Sequence, residues 1–299
     1  IIIFSIKLIE VIHIESYAVP TLIINQKYIM LLKLIPLFFK YMSPLFPKLC
    51  GLLAFNLFCR AKKTKRKKAE LDFWLSGNPL KLNSGRAAKS WGNGPVIWLL
   101  HGWASKGSTY YKLIPLFVKA GFKVIAWDGP AHGDSPGNKV HLVSYAKAVA
   151  EDIKQLGLSV HAIVSHSFGG ASLAILDKYM PLPPYLVSIG APSEVPIIFS
   201  NFKRIIKLSD AAFNNLIDRA ENETGFTISS ISLLTNDLSK KTNILVIHDE
   251  DDKEVPFKRF TKLKNTWEKG KFISTKGLGH NRILKSPNTA SAIIKFITS

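Results

Sequence analysis

Six short apolar runs recur from residue 96 onward, at Val96 to Leu100, Lys123 to Trp127, Val160 to Val164, Tyr185 to Gly190, Asn243 to His248 and Lys271 to Thr275. They lack the in-out alternation of half-buried strands, so they suit strands covered on both faces, as in a parallel sheet. Helix-like patterns stand between them, near Thr109 to Ala120, Leu142 to Leu156 and Phe168 to Tyr179. Apolar strands alternating with helices predict an α/β architecture, a mostly parallel sheet with helices on both faces. A hairpin is expected ahead of it, pairing Leu80 to Leu82 with Arg86 to Trp91 around Asn83-Ser84-Gly85. With 299 residues, 47% of them hydrophobic, the chain can bury one large core and carry appendages. In such a sheet, ligands bind outside the carboxyl ends of the strands.

The run from Val160 breaks into Ser165-His166-Ser167-Phe168-Gly169-Gly170 and then into a helical pattern. A sharp strand-to-helix turn lifts one hydroxyl, here that of Ser167, to where it can attack a carbonyl. A serine in such a place can equally be a helix cap. After the first core strand comes His101-Gly102-Trp103; the amides of Trp103 and Phe168 are the expected donors to a developing oxyanion. The His101 ring is read as a brace for that loop. His280, in Leu278-Gly279-His280-Asn281 after the last strand, is the expected general base, since neutral imidazole suits proton transfer near neutral pH. A surface histidine before a C-terminal helix is the plainer alternative. His166 adjoins the serine but should point away from its hydroxyl. An acid must orient the base, and His248-Asp249-Glu250-Asp251-Asp252-Lys253-Glu254 offers five carboxylates. Composition does not choose among them, and a solvated loop or a weak cation site fits the same residues; the ligand and glycine spacing of a calcium hand is absent.

The motifs His101-Gly102-Trp103, Asp128-Gly129-Pro130-Ala131-His132-Gly133, Ser165-His166-Ser167-Phe168-Gly169-Gly170 and His248-Asp249-x-x-Asp252-x-x-Val255-Pro256 resemble those of the α/β-hydrolase superfamily, in particular bacterial small-lid serine hydrolases of the esterase and lipase kind. The resemblance runs from about residue 71 to 299. It implies that Asp252, at the family's spacing before Val255-Pro256, is the acid, and that the triad is Ser167, Asp252 and His280 in chain order. Asp128 and His132, with His101 and Gly102, would shape the site without transferring protons. Ser165 departs from the family, where glycine is usual. The resemblance also implies a small helical lid at about 191–238, where Phe199, Phe202, Ile205, Ile206, Phe213 and Leu216 read either as the lid's buried face or as an acyl channel. The activity implied is hydrolysis of a small carboxylic ester or thioester through an acyl-enzyme, with carbon–carbon hydrolysis or a non-catalytic binding role as alternatives. No cofactor and no metal site are expected.

Residues 1–70 read as an apolar N-terminal extension followed by a basic run. Those ahead of Met30 read as upstream translation or an incomplete start. Between Ile29 and Cys59, Lys33, Lys40, Lys48 and three prolines interrupt the apolar pattern, which disfavours a membrane span of about 20 apolar residues. Short amphipathic helices that dock on the domain or lie at a membrane interface are expected instead. No cleaved export signal is discernible. Net charge is +19, but seven of the 40 basic residues fall between Arg60 and Lys68. That run reads as a local tail, attractive to an anionic membrane surface through residues 30–68, and no nucleic-acid recognition pattern accompanies it. With only Cys50 and Cys59, the chain suits a reducing cytoplasm, free or peripheral at the inner face of the membrane.

Overall fold

Strand β3 (Val96–Leu100) is buried at all five positions and β4 (Lys123–Trp127) at four of five, the state their unbroken apolar sequence requires. The computed structural model, which describes residues 26–299, builds around them a sheet of eight strands in the order β1-β2-β4-β3-β5-β6-β7-β8. The other strands are β1 (Asn78–Leu80), β2 (Ala88–Trp91), β5 (Val160–His166), β6 (Tyr185–Ile189), β7 (Asn243–Asp249) and β8 (Lys271–Thr275). The first two pair antiparallel, Leu80 opposite Ala88, as the turn at Asn83-Ser84-Gly85 predicts; β3 to β8 run parallel. Residues 1–25, and with them most of the stretch ahead of Met30, lie outside the described residues.

The chain divides into two compact units: residues 61–194 with 230–299, and the N-terminal residues up to 60 with 195–229. The first unit holds the whole sheet. On one face Ile97, Leu99, Val124, Val164, Val187 and Ile247 pack with Leu113, Phe117, Leu284, Ile293 and Phe296. Helix α5 (Leu142–Gln155) is amphipathic and buries Tyr145, Val149 and Ile153. Its Asp152, also buried, accepts from the Trp127 indole at 2.8 Å and from Arg86 Nε at 2.6 Å, which satisfies a carboxylate that would otherwise be costly to bury. The helix expected over Thr109 to Ala120 is shorter than the pattern suggests. A 3₁₀ turn (Gly107–Tyr110) precedes α4 (Ile114–Lys119), because Pro115 lacks an amide hydrogen and is tolerated only in a first turn. Likewise α6 (Phe168–Ser172) passes into a 3₁₀ segment, Leu173–Lys178.

The second unit is helical: α1 (Gln26–Met42), α2 (Pro47–Cys59), α7 (Val195–Ile206) and α8 (Asp210–Thr224). The insertion after β6 that the sequence reads as a lid thus shares a core with the N-terminal helices. Phe58 stacks on Phe199 at 4.2 Å and meets Phe202 edge-on at 5.1 Å. Gly51 lets α2 approach α8 closely, since a Cβ there would lie 2.6 Å from Asn215 Cβ. Ser43 Oγ accepts from the Ser209 amide at 2.9 Å. Phe199, Phe202, Ile206 and Leu216 are buried in this unit, while Ile205 and Phe213 are half-buried.

Candidate active site

Everything at the site belongs to the sheet-containing unit. Strand β5 ends at His166, and Ser167 turns the chain with φ 54° and ψ −116° before α6 begins. A non-glycine residue held there stores about 1–3 kcal/mol of strain and persists only where neighbours over-determine it. The Ser167 amide donates to Ile189 O at the end of β6 at 2.9 Å, and its carbonyl accepts from the Ala171 amide at 2.9 Å. Gly102 passes so near that a Cβ on it would lie 3.0 Å from Ser167 Cβ. Ser165, where the family has glycine, is fully buried and its hydroxyl donates to Val187 O at 2.7 Å. The substitution therefore adds a tie between β5 and β6.

The loop after β7 sorts its carboxylates by task. Asp252 Oδ2 accepts from His280 Nδ1 at 2.7 Å, and its Oδ1 accepts from the Glu254 and Val255 amides, each at 2.8 Å. Both residues are buried. With the proton of His280 on Nδ1, Nε2 is left as the basic nitrogen; it makes no hydrogen bond and lies 3.7 Å from Glu254 Oε2. Asp251 accepts from the Gly277 amide at 2.9 Å. Asp249 accepts from Thr275 Oγ1 at 2.7 Å and from the amides of Asp251, Leu278 and Gly279. Burial would raise its carboxyl, but those donors hold it below the usual carboxylate range. Asp249 thus shapes the turn that presents His280, a role the composition of the loop did not reveal. Gly190, just after β6, is a second residue missed in the sequence: its φ of 56° favours glycine, and a Cβ there would come into contact, at 3.4 Å, with both Asp252 Oδ2 and His280 Nδ1. The ring of His166 is turned to His280 O, to which its Nε2 donates at 2.9 Å.

The loops after β3 and β4 are locked together by two histidines. His101 Nε2 accepts from the Gly129 amide at 2.8 Å and its Nδ1 donates to Gly102 O at 2.7 Å; His132 Nε2 accepts from the Ala104 amide at 3.0 Å and its Nδ1 donates to Pro130 O at 2.9 Å. Both patterns require neutral imidazole. Burial pushes His101 down to about 4, and burial with the nearby His101 pushes His132 down to about 3. Trp103 packs edge-on against Phe168 and His132, with ring centroids 5.1 and 5.6 Å apart. Ala104 and Ala131 both have positive φ, so strained backbone clusters in the loops around Ser167.

Asp128 is the hub of these loops. It accepts from the Gly107 and Asp134 amides at 2.8 and 2.9 Å and pairs with Arg66 Nη2 at 2.6 Å. Arg66 lies in the basic run, and its side chain is only 5% exposed, with the guanidinium 4.3 Å from the Trp74 ring centroid. Lys63 Nζ donates to Ser135 O and Thr64 Oγ1 donates to Ala104 O at 3.0 Å. The reading of this run as a local tail is therefore corrected: it is a strap bound to the site's supporting loops, because Asp128 and three backbone carbonyls, counting Lys65 O held by Lys106 Nζ, fix it there. Nothing in the spacing of Lys and Arg distinguishes Arg66 from its neighbours.

The α/β architecture, the loop arrangement and the strained serine now meet the comparisons with known proteins. Residues 99–291 match the model of the alpha/beta hydrolase family, and the chain belongs to that family. A human serine hydrolase-like protein is 36% identical over 90 residues, which covers 28% of this chain and 44% of that protein's length. A bifunctional esterase/perhydrolase of Acinetobacter calcoaceticus is 27% identical over 262 residues, covering 71% of this chain and 95% of its own. Among solved structures, an esterase of Pyrococcus furiosus superposes with a TM-score of 0.58 at 16% identity over 80% of this chain and 97% of that one, a likeness of fold. The chain spans less than half the length of the human relative.

Proposed function

We propose that the protein hydrolyses a small carboxylic ester or thioester through an acyl-enzyme on Ser167. The observation that carries this reading is the buried Asp252–His280 hydrogen bond, 2.7 Å long, which leaves Nε2 without a partner at the strand ends where Ser167 stands strained. His280 Nε2 takes the Ser167 proton as Oγ attacks the acyl carbon. The amides of Trp103 and Phe168 receive the oxyanion. Collapse of the tetrahedral intermediate breaks the bond to the leaving group, which takes the proton from Nε2; water, deprotonated by the same nitrogen, then releases the acid. Asp252 holds the tautomer and offsets the imidazolium charge. The reading is supported by relatives named as esterases. A chain with only two cysteines, Cys50 and Cys59, both buried, suits the proposed cytoplasmic setting.

The test is labelling with a fluorophosphonate followed by peptide mass analysis, together with turnover of short-chain p-nitrophenyl esters and acyl thioesters. Labelling at Ser167, and loss of both label and turnover in Ser167→Ala, is the expected result. Turnover that survives Ser167→Ala would remove the assignment. An enzyme that takes the label but cleaves only activated diketones would move the reading to carbon–carbon hydrolysis.

A further inference from the structure

Nine of the twelve exposed large hydrophobic residues among those described lie within twenty residues of chain: Leu34, Leu37, Phe38, Tyr41, Leu45, Phe46, Leu49, Leu52 and Leu53. Four of them, 34, 37, 38 and 41, recur at the helical spacing that makes one face of α1, and 49, 52 and 53 do the same on α2, with Leu45 and Phe46 in the turn between. The opposite face of α2 is the buried one, Cys50, Ala54, Phe55 and Phe58. The helices are therefore apolar on both sides, and the outer side has no partner among the described residues of the unit to which they belong. Surfaces of that extent mark an interaction site rather than ordinary exposure.

Charge selects the occupant. From residue 16 to residue 69 the chain has no Asp or Glu, while residues 26–60 carry Lys27, Lys33, Lys40, Lys48 and Arg60. Lys40 and Lys48 are exposed beside the apolar residues, and Lys40 Nζ sits 5.2 Å from the Tyr41 ring centroid. Among the described residues of this unit the acidic side chains are confined to α8, where Asp210 pairs with Lys203, Glu223 with Arg219, Glu221 accepts from the Ile228 amide, and Asp218 is exposed. A protein partner would call for acidic or hydrogen-bonding complements at named positions; a fluid sheet of apolar chains below negative headgroups matches leucine, phenylalanine and lysine without such register. No helix among the described residues is long and apolar enough to cross a membrane.

We infer that the α1–α2 hairpin is a docking surface for an anionic lipid bilayer, lying in the interface plane with Leu45 and Phe46 inserted and Lys40 and Lys48 at headgroup level. The basic strap at 61–68, engaged with Asp128, Ser135 and Ala104, is not the element that binds. This inference is independent of the hydrolase reading, and Ser167→Ala should bind vesicles like the wild type.

The experiment is co-sedimentation of the full chain with vesicles of phosphatidylcholine, alone or with 30% (about one lipid in three) phosphatidylglycerol, at low and high salt. Binding to the anionic vesicles, weakened by salt, is expected. Leu45→Ser with Phe46→Ser should lower the partition coefficient by about tenfold or more, and Lys40→Glu with Lys48→Glu by about tenfold. Because these side chains are exposed, circular dichroism and thermal melting should be unchanged, so lost binding is not lost folding. Equal binding of wild type and both variants would overturn the inference, as would absence of binding. If sedimentation equilibrium instead shows a dimer that Leu45→Ser/Phe46→Ser dissolves and vesicles retain nothing, the surface belongs to a second copy. A monomer without vesicle binding would mean the patch is covered by the chain itself.

Discussion

The sheet-containing unit and the helical unit solve the problem of burial in different ways. In the first, ionisable groups are taken inside and paired: Arg66 with Asp128, Arg86 with Asp152, His280 with Asp252. In the second, contact is made by apolar side chains such as Phe58, Phe199 and Phe202, its ion pairs lie at the surface, and apolar residues also face outward. The contrast teaches where chemistry can reside. Fixed dipoles and buried charges hold a reactive constellation to a narrow geometry, whereas an apolar helical surface recognises area and charge without fixing atoms. Function that needs one geometry is concentrated in the first unit, and adhesion is assigned to the second.

Ser167→Ala draws that line most sharply. It should lower ester turnover by about 10⁴-fold or more, since without the hydroxyl only binding and oxyanion stabilisation remain. Leu45→Ser with Phe46→Ser, in the other unit, should leave kcat/KM on a water-soluble ester within about twofold. A large loss in that variant would break the division of labour.

Inside the site, the two neighbouring carboxylates separate orientation from support. Asp252→Asn should cost about 10³–10⁴-fold in kcat by releasing the His280 tautomer. Asp251→Asn retains an oxygen that can accept from the Gly277 amide and should cost no more than about tenfold. Steady-state kinetics on both, with thermal melting as a control, checks the order; a reversal would move the acid to Asp251.

Arg66→Met tests whether the strap is structural. It removes the partner of a fully buried carboxylate and should destabilise the fold by about 3–5 kcal/mol, read by urea denaturation. Lys67→Met, one residue on but exposed, should change stability by less than about 0.5 kcal/mol. Equal effects would restore the picture of a solvated tail.

A pH dependence of stability is also expected. His101 and His132 have their folded values pushed below the ordinary 6.5, to about 4 and about 3. The unfolded chain therefore binds protons that the folded chain refuses, and stability falls as pH drops from about 6.5 through those lower values. Denaturation midpoints at pH 7.5, 5.5 and 4.5 should decline in that order, and His132→Gln should flatten part of the decline. A midpoint that rises between pH 6 and pH 4.5 would contradict the neutral assignments.

Much of the sheet was readable in the chain because burial on both faces leaves unbroken apolar runs, and β3 and β4 begin and end where those runs do; β8 keeps the expected bounds but, as the edge strand, is mostly exposed rather than covered on both faces. Helix ends were less so: Pro115 shortens α4 through a missing amide hydrogen, and the segment after α6 tightens to 3₁₀. At the site, Ser167 and His280 stand out by residue type beside glycines, whereas Asp252 was separable from Asp251 only through resemblance. Asp249, Gly190 and Arg66 carried no distinguishing local signal, since their roles lie in hydrogen bonds and clearances to segments distant in the chain, 62 residues for Arg66 and Asp128.

The sequence by itself determined the alternation of strands and helices, the turn at Ser167 and the family, because periodicity, glycine placement and short motifs are local. Tertiary structure alone decided that Asp249 holds the turn before His280, that Arg66 belongs inside beside Asp128, and that the N-terminal helices share a core with the insertion after β6. Each of these depends on which distant groups come within hydrogen-bond or van der Waals reach, and burial of a charge becomes tolerable only once its partner is there. The direction of the leucine and phenylalanine side chains at 34–53 was of the same kind: an apolar helix does not say which face it will keep, until one face is filled by Asn215, Phe199 and Phe202 and the other is left outward.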